Sequence, residues 1–245
     1  MATNINYPPD QLQAILENGK IEIKGQFSRG YNYTFLVNVA YNSCDTPAVY
    51  KPGRGEQPLW DFPDNTLAGR EVCAYLISQA LGFGLVPFTL LRDGPLGPGS
   101  LQQFIDSDSN YHYFTFKPAE LERLRPVVFF DLLVNNADRK GSHILVEKHT
   151  RKLFLIDHGL CFHAEDKLRT VVWDFAGEPF PPDLISVLPN FIANLTGPGD
   201  LTAALGAYIS PEEVAALRMR AETLMSGGHF PFPPEDRRAF PYPPV

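Results

Sequence analysis

The amino-acid sequence predicts an α+β chain in two lobes, a small β-rich one followed by a mainly helical one. Three observations carry that expectation. Residues 21–24, 33–39 and 48–51 are short strand-like runs, and they precede the first long amphipathic helix. The densest Gly/Pro stretch of the interior, DGPLGPGS, then interrupts the chain. Beyond it the pattern turns helical around one apolar hairpin. The expected division is a first lobe over residues 1–98, a hinge over 99–106, a second lobe over 107–228 and a proline-rich tail over 229–245.

Each element has a local reason. Residues 9–19 read as a short helix because Leu12, Ile15 and Leu16 recur at helical spacing. The first two strands flank the turn-rich GQFSRGYN, and Pro52, which has no N–H to donate, stops the third. A loop over residues 52–65, in which Trp60 and Phe62 are expected to pack between lobes, leads into LAGREVCAYLISQALG. There Val72, Tyr75, Leu76 and Ala80 share a helical face and Gly82 is the stop. Residues 85–91 read as another strand, and residues 118–135 as a helix with an apolar second half. Two apolar runs, 144–146 and 153–156, joined by the polar EKHTRK, form a hairpin. Ser210, Pro211 and Glu213 form a capping box that opens a helix ending at Gly227-Gly228. The tail HFPFPPEDRRAFPYPPV holds six prolines and is expected to lie extended on the surface.

Composition narrows the function classes. The chain has 245 residues, 44% of them hydrophobic, with a formal net charge of -7 and no run of Lys or Arg. A basic footprint for nucleic acid is therefore missing. No stretch approaches the roughly 20 apolar residues of a transmembrane helix, and the N-terminus lacks the basic and apolar regions of a signal peptide. Three widely spaced cysteines, Cys44, Cys73 and Cys161, form neither a disulfide framework nor a zinc set, so a reducing, cytoplasmic setting is expected.

Two carboxylates stand out. Asp138, in NNADRKGSH, immediately precedes the hairpin, and Asp157, in LIDHG, immediately follows it. The hairpin brings its outer ends together, so these residues are neighbours although 19 positions apart. Close carboxylates repel unless a cation sits beside them, which makes the pair a candidate divalent-metal and phosphoryl-transfer site.

ADRKGSH, the hairpin and IDHG resemble the catalytic loop and DFG-type segment of phosphatidylinositol 3/4-kinase-like enzymes of bacteria, a group related to the HipA-type protein kinases. Further likeness lies in AVYKP, REVCAY, LWDFP and LVPFTLLRDGPLGPGSLQQFID, over roughly residues 15–180. The resemblance implies a two-lobed protein-kinase-like fold and an ATP-dependent kinase with a divalent metal, Mg²⁺ or Mn²⁺. It implies that Asp138 orients or deprotonates the acceptor hydroxyl, with Arg139 beside it in the catalytic loop as a further catalytic residue, and that Asp157 binds the metal. Lys51 would hold the α/β-phosphates, steadied by Glu71, with Glu56 and Arg70 as nearby alternatives. Ser28, Gly30 and Asn32, in the place of the phosphate-covering loop, and Gln103 complete the implied nucleotide site. The pattern departs at position 143, where His143 stands for the family's Asn. His143 would ligate a metal such as Mn²⁺, hold a metal-bound water or hydrogen-bond Asp138.

The acceptor is read from charge. The segment after the DHG motif, LCFHAEDKLRTVVWDFAGEP, sets Lys167 and Arg169 against Glu165, Asp166, Asp174 and Glu178. Anionic membranes attract by about 1 kcal/mol per basic residue, and this chain offers little of that. A protein Ser/Thr acceptor, autophosphorylation included, leads over a small molecule, and both over a phosphoinositide. The competing class is a nucleotide-binding module without transfer activity.

Overall fold

A computed structural model describes residues 7–27, 33–197 and 199–245. α1 (Pro9–Asn18) lies on a five-stranded antiparallel sheet of order β1-β2-β3-β5-β4, built from β1 (Lys20–Gln26), β2 (Phe35–Tyr41), β3 (Cys44–Pro52), β4 (Thr89–Gly94) and β5 (Gly97–Gln103). Strict alternation along β2 and β3 turns one face inward. Val37, Val39, Ala48 and Tyr50 of that face meet Ile15 and Leu16 of α1 in a small apolar cluster. Lys51, next to Tyr50, therefore points to the other face, toward the second half of the molecule.

The second half is helical. α2 (Leu67–Ala80), α4 (Arg125–Val134), α6 (Leu188–Thr196) and α8 (Pro211–Gly227) surround the two-stranded sheet of β6 (Ile144–Val146) and β7 (Leu153–Leu155). α3 (Pro118–Leu121), α5 (Pro182–Ser186) and α7 (Asp200–Gly206) are shorter. One large core joins Cys73, Ala74 and Ile77 of α2 to Phe129, Phe130 and Leu133 of α4 and Leu217 of α8. Each fully buried Phe contributes about 1.5–3 kcal/mol. The helix that carries Glu71 therefore bridges the two halves, packing on β4 and β5 as well as into this core. A buried ion pair between Arg70 and Glu213 (2.7 Å) ties it to α8. The capping box of α8 forms as expected, with Ser210 and Glu213 exchanging bonds of 3.2 and 3.0 Å. No helix among the described residues is long and apolar enough to cross a membrane.

Several expectations need correction. DGPLGPGS is not a hinge. It is the tight turn between β4 and β5, and β5 runs through residues 99–103 of the expected hinge. Its glycines serve close packing: a Cβ on Gly99 would lie 2.4 Å from the Lys51 carbonyl oxygen, and one on Gly94 would lie 2.6 Å from the Tyr50 ring. The strand expected over residues 85–91 begins only at Thr89. The helix expected over residues 118–135 is broken by a 3₁₀ turn before α4, where Pro126 offers no N–H to continue the ladder. Phe62 packs as expected, against Arg70 (4.9 Å) and His163 (5.4 Å), whereas Trp60 is 90% exposed, with the Lys167 ammonium 5.0 Å from its ring.

Candidate active site

The β6/β7 hairpin sets the geometry. Ile144 pairs with Leu155, and beyond that pair the Ile156 N–H donates to the His143 carbonyl at 3.1 Å. The outer ends are thereby closed together, leaving His143 Nε2 3.2 Å from Asp157 Oδ2. Asp157 itself sits at φ 62, a left-handed backbone rarely adopted by residues other than Gly, Asn and Asp. Such a conformation persists only where its surroundings enforce it.

Lys51 arrives from β3. Its ammonium donates to Glu71 Oε1 and, at 3.0 Å, to Asp157 Oδ1. The other Glu71 oxygen accepts the His158 N–H at 3.0 Å, so Glu71 grips both the lysine and the backbone next to Asp157. Burial opposes the charge on Lys51, but Asp157 and Glu71 outweigh it and raise its pKa. Burial likewise opposes ionisation of Asp157, whose side chain is 46% open to the cleft, yet Lys51 and His143 hold it below the usual carboxylate range. Of the two alternatives to Glu71, Glu56 instead accepts from Leu67 N (3.3 Å) and Ala68 N (2.9 Å), satisfying the open N-terminus of α2. Arg70 is turned into the core, where it donates to the Cys161 carbonyl at 2.7 Å.

Asp138 faces the same cleft. Its N–H donates to Asn136 Oδ1 at 2.9 Å, and its carboxylate meets Lys140 Nζ at 3.1 Å. Burial pushes the carboxyl up to about 6; Lys140 opposes the rise and Asp157 adds to it. Lys51, Glu71, Asp138, Lys140, Asp157 and Gly159 line a cleft of ≈ 450 Å³.

Arg139 has a different place from the one expected. Its side chain is fully buried and directed away from the cleft. It pairs with Asp131 (2.9 Å), donates to the Ile156 carbonyl (2.9 Å) and meets His158 Nε2 (2.9 Å). With its donors engaged in this way, Arg139 braces the loop that carries Asp138 from its core side and presents nothing to the cleft. Gln103 does not line the cleft; it ends β5, with its N–H donated to the Phe88 carbonyl at 2.9 Å. Ser28, Gly30 and Asn32 lie outside the described residues, while Tyr33 and Thr34 line the cleft. Lys140 is the residue that sequence reasoning missed; a cation two positions from Asp138 was the available signal.

His143 bears on the metal. Its Nδ1 lies 3.1 Å from the Asp138 carbonyl oxygen, which can only accept, so Nδ1 carries the proton. Burial depresses the imidazole to about 4; Asp157 opposes this, while Arg139, Lys140 and Lys51 add to it. At neutral pH Nε2 therefore presents a lone pair to a carboxylate oxygen, an arrangement that a divalent cation would relieve. Among the described residues no group of three or more His, Cys, Asp and Glu gathers to hold a metal. The donor set of Asp157 and His143 fits a cation that takes its remaining ligands from phosphates and water.

Comparison with known proteins extends the geometry. The profile of the family described as phosphatidylinositol 3- and 4-kinase matches residues 70–200, a span that includes Glu71, Asp138 and Asp157. Protein Rv2133c of Mycobacterium tuberculosis is 38% identical over 269 residues, covering 96% of this chain and 95% of that protein. The crystal structure of the Helicobacter pylori proinflammatory kinase CtkA is similar at a TM-score of 0.54 and 13% identity, over 86% of this chain and 93% of CtkA. The structure of hydra Fam20 with sugar is similar at a TM-score of 0.52 and 12% identity, over 91% of this chain and 90% of Fam20. At such identities these two structures speak to the fold alone, and they place this chain's sheet and helices in a kinase-like α+β arrangement. The chain therefore belongs to the phosphatidylinositol 3- and 4-kinase family and has the character of a phosphotransferase.

Proposed function

We propose that this phosphotransferase uses ATP with Mg²⁺ or Mn²⁺ and transfers the γ-phosphoryl group to a serine or threonine hydroxyl of a protein, itself included. The observation that carries the reading is the Lys51 ammonium held between Glu71 and Asp157, in one cleft with the partly buried carboxyl of Asp138.

In this reading Lys51 holds the α/β-phosphates, and Asp157 with His143 would hold the metal, which would supply charge neutralisation at the transferring group. Asp138, poised near pH 6, is ionised at neutral pH and accepts the hydroxyl proton as the acceptor oxygen bonds to phosphorus and the β–γ bridge breaks. Lys140, beside Asp138, adds positive charge where the phosphoryl group passes. Charge argues against a lipid headgroup. Lys167 is engaged by Asp61 (3.6 Å) and Glu165 (3.4 Å), and the whole chain carries -7.

The test is transfer of labelled phosphate from ATP, with each metal, to the chain itself, to a Ser/Thr-rich protein and to phosphoinositide vesicles, beside Asp138→Ala. Label on serine or threonine that disappears in Asp138→Ala supports the reading. Label confined to lipid would overturn the acceptor, and nucleotide binding with no turnover under either metal would overturn transfer itself.

A further inference from the structure

The proline-rich tail does more than lie on the surface. The Ala239 carbonyl accepts the Thr170 N–H at 3.1 Å, and the Pro244 carbonyl accepts the Gly141 N–H at 2.8 Å. Gly141 is three residues past Asp138, and Thr170 pairs with Arg139, two residues before Gly141, with Val171 N donating to the Arg139 carbonyl at 3.1 Å. Arg237 anchors the near end, donating to the Leu168 carbonyl at 2.8 Å and to Asp166. From residue 238 to 242 the tail alternates exposed and buried, with Ala239 and Pro241 inward and Phe240 and Tyr242 outward. That is the signature of an extended chain laid along an edge.

The chemistry of the two sides matches. The edge offers main-chain N–H donors from the catalytic loop and from the segment after the DHG motif. A proline-rich strip supplies carbonyl acceptors, lacks many N–H groups of its own, and loses little entropy on docking. Residues 229–245 contain no Ser or Thr, and their one hydroxyl, on Tyr242, is 75% exposed on the outward side. The occupant of this edge therefore has no aliphatic hydroxyl to phosphorylate.

We propose that this edge is the binding groove for an extended segment of a protein acceptor, and that the tail fills it in cis as a non-phosphorylatable stand-in which the acceptor must displace. This rests on the protein-acceptor reading above. A tethered occupant acts at an effective concentration near the millimolar range, so it raises the acceptor KM without altering nucleotide affinity.

The experiment uses the full chain carrying Arg237→Ala together with Ala239→Asp, changes that lie outside the cleft and loosen the tail. A Ser/Thr-rich protein such as dephosphorylated casein is the acceptor, and a synthetic peptide of residues 232–245 is added in trans. The loosened tail is expected to lower the acceptor KM by about tenfold with the nucleotide Kd unchanged. The peptide is expected to inhibit competitively against casein and not against ATP. An unchanged KM, or inhibition competitive with ATP, overturns the proposal. Should the double variant fail to fold, Arg237→Ala alone is assayed with hydrogen exchange at Gly141 and Thr170. Faster exchange there with no fall in KM also overturns it. If ATP is consumed but neither form labels any protein, the acceptor reading falls and takes this proposal with it; labelled casein with an unmoved KM sinks the proposal alone.

Discussion

Two clusters of opposite charge lie back to back in this molecule, one sealed and one open. In the sealed cluster Asp131 of α4 and Arg139 of the catalytic loop expose 1% and none of their side chains. Arg139 is enclosed there by Asp131, two carbonyl oxygens and His158. In the open cluster Asp157 shows 46% of its side chain to the cleft, and its partners Lys51 and His143 approach different oxygens. A divalent cation can take the place of Lys51 or His143 at Asp157, and a phosphate can take the place of Asp157 at Lys51. Glu71 and His158 stand between the clusters, so the sealed one fixes the backbone on which the open one is mounted. The same residue types thus do opposite work, and what separates them is access: the Asp131–Arg139 pair is shut off from solvent, whereas Asp157 stays open to the cleft.

The largest effects should come from cutting each cluster once. Asp131→Ala leaves Arg139 buried without its counter-charge, at a cost of about 3–5 kcal/mol in urea unfolding. Asp157→Ala should cost less than about 1 kcal/mol of stability, because the lysine it leaves behind keeps Glu71 and some exposure. Phosphoryl transfer by that variant should nevertheless fall by about 10³-fold or more. If Asp157→Ala unfolds the chain as badly as Asp131→Ala, the distinction between the clusters is lost.

Asp138→Asn sharpens the comparison within the cleft. Transfer should drop by about 10²–10³-fold, the usual loss when a general base is removed. Its effect on stability should depend on pH. The folded carboxyl is held at about 6, above its ordinary value, so the folded state binds that proton more tightly than the unfolded chain. The resulting cost is absent below the unfolded value and complete above pH 6. The amide therefore raises Tm at pH 8 and does so far less at pH 4, just above the ordinary carboxyl value. A Tm gain that is equal at both values would assign the effect to packing instead.

How far the sequence reveals this arrangement differs between residues. Asp138 and Asp157 are legible because a short apolar hairpin dictates that its ends meet, and β6 and β7 do pair in that register. The ion pair of Lys51 with Glu71 is legible through the family resemblance, which sets a lysine at that strand end against an acid on the next helix. Arg139 is misread because its neighbour in sequence faces the cleft while it faces the core; which way a loop residue turns depends on Asp131 and His158, and only tertiary packing supplies them. β5 is hidden for a related reason. Its glycines resemble a flexible connection, yet Gly99 is required by the closeness of β3. The tail contacts at Gly141 and Thr170 are main-chain bonds, which side-chain patterns do not encode.

A smaller effect is expected at His143. An asparagine there would replace the imidazole Nε2 by an amide oxygen, a harder donor that suits Mg²⁺ over softer metals. His143→Asn should shift the ratio of Mg²⁺- to Mn²⁺-supported turnover toward Mg²⁺ by about tenfold, the lower end of what metal-site partners contribute. An unaltered ratio would make His143 a hydrogen-bond partner of the Asp138 carbonyl and nothing more.

The smallest effect isolates Lys140, the cation that belongs to the open cluster but is bonded to Asp138 rather than Asp157. Burial raises the Asp138 carboxyl, and Lys140 at 3.1 Å is the largest influence pulling it back down. Removing the ammonium leaves the upward push unopposed, so the folded pKa rises further. In a plot of kcat/KM against pH the acidic limb, expected near pH 6 in the native protein, should move to higher pH in Lys140→Ala. Lys140→Arg, which keeps a charge within reach, should leave the limb near its native position. Because Lys140 also lines the cleft, the plateau above the limb reports a separate contribution, its charge near the transferring phosphoryl group. A lowered plateau with an unmoved limb would mean that Lys140 acts on the phosphate and not on the base, and Asp138 would then owe its ionisation at neutral pH to the open side of the cleft alone.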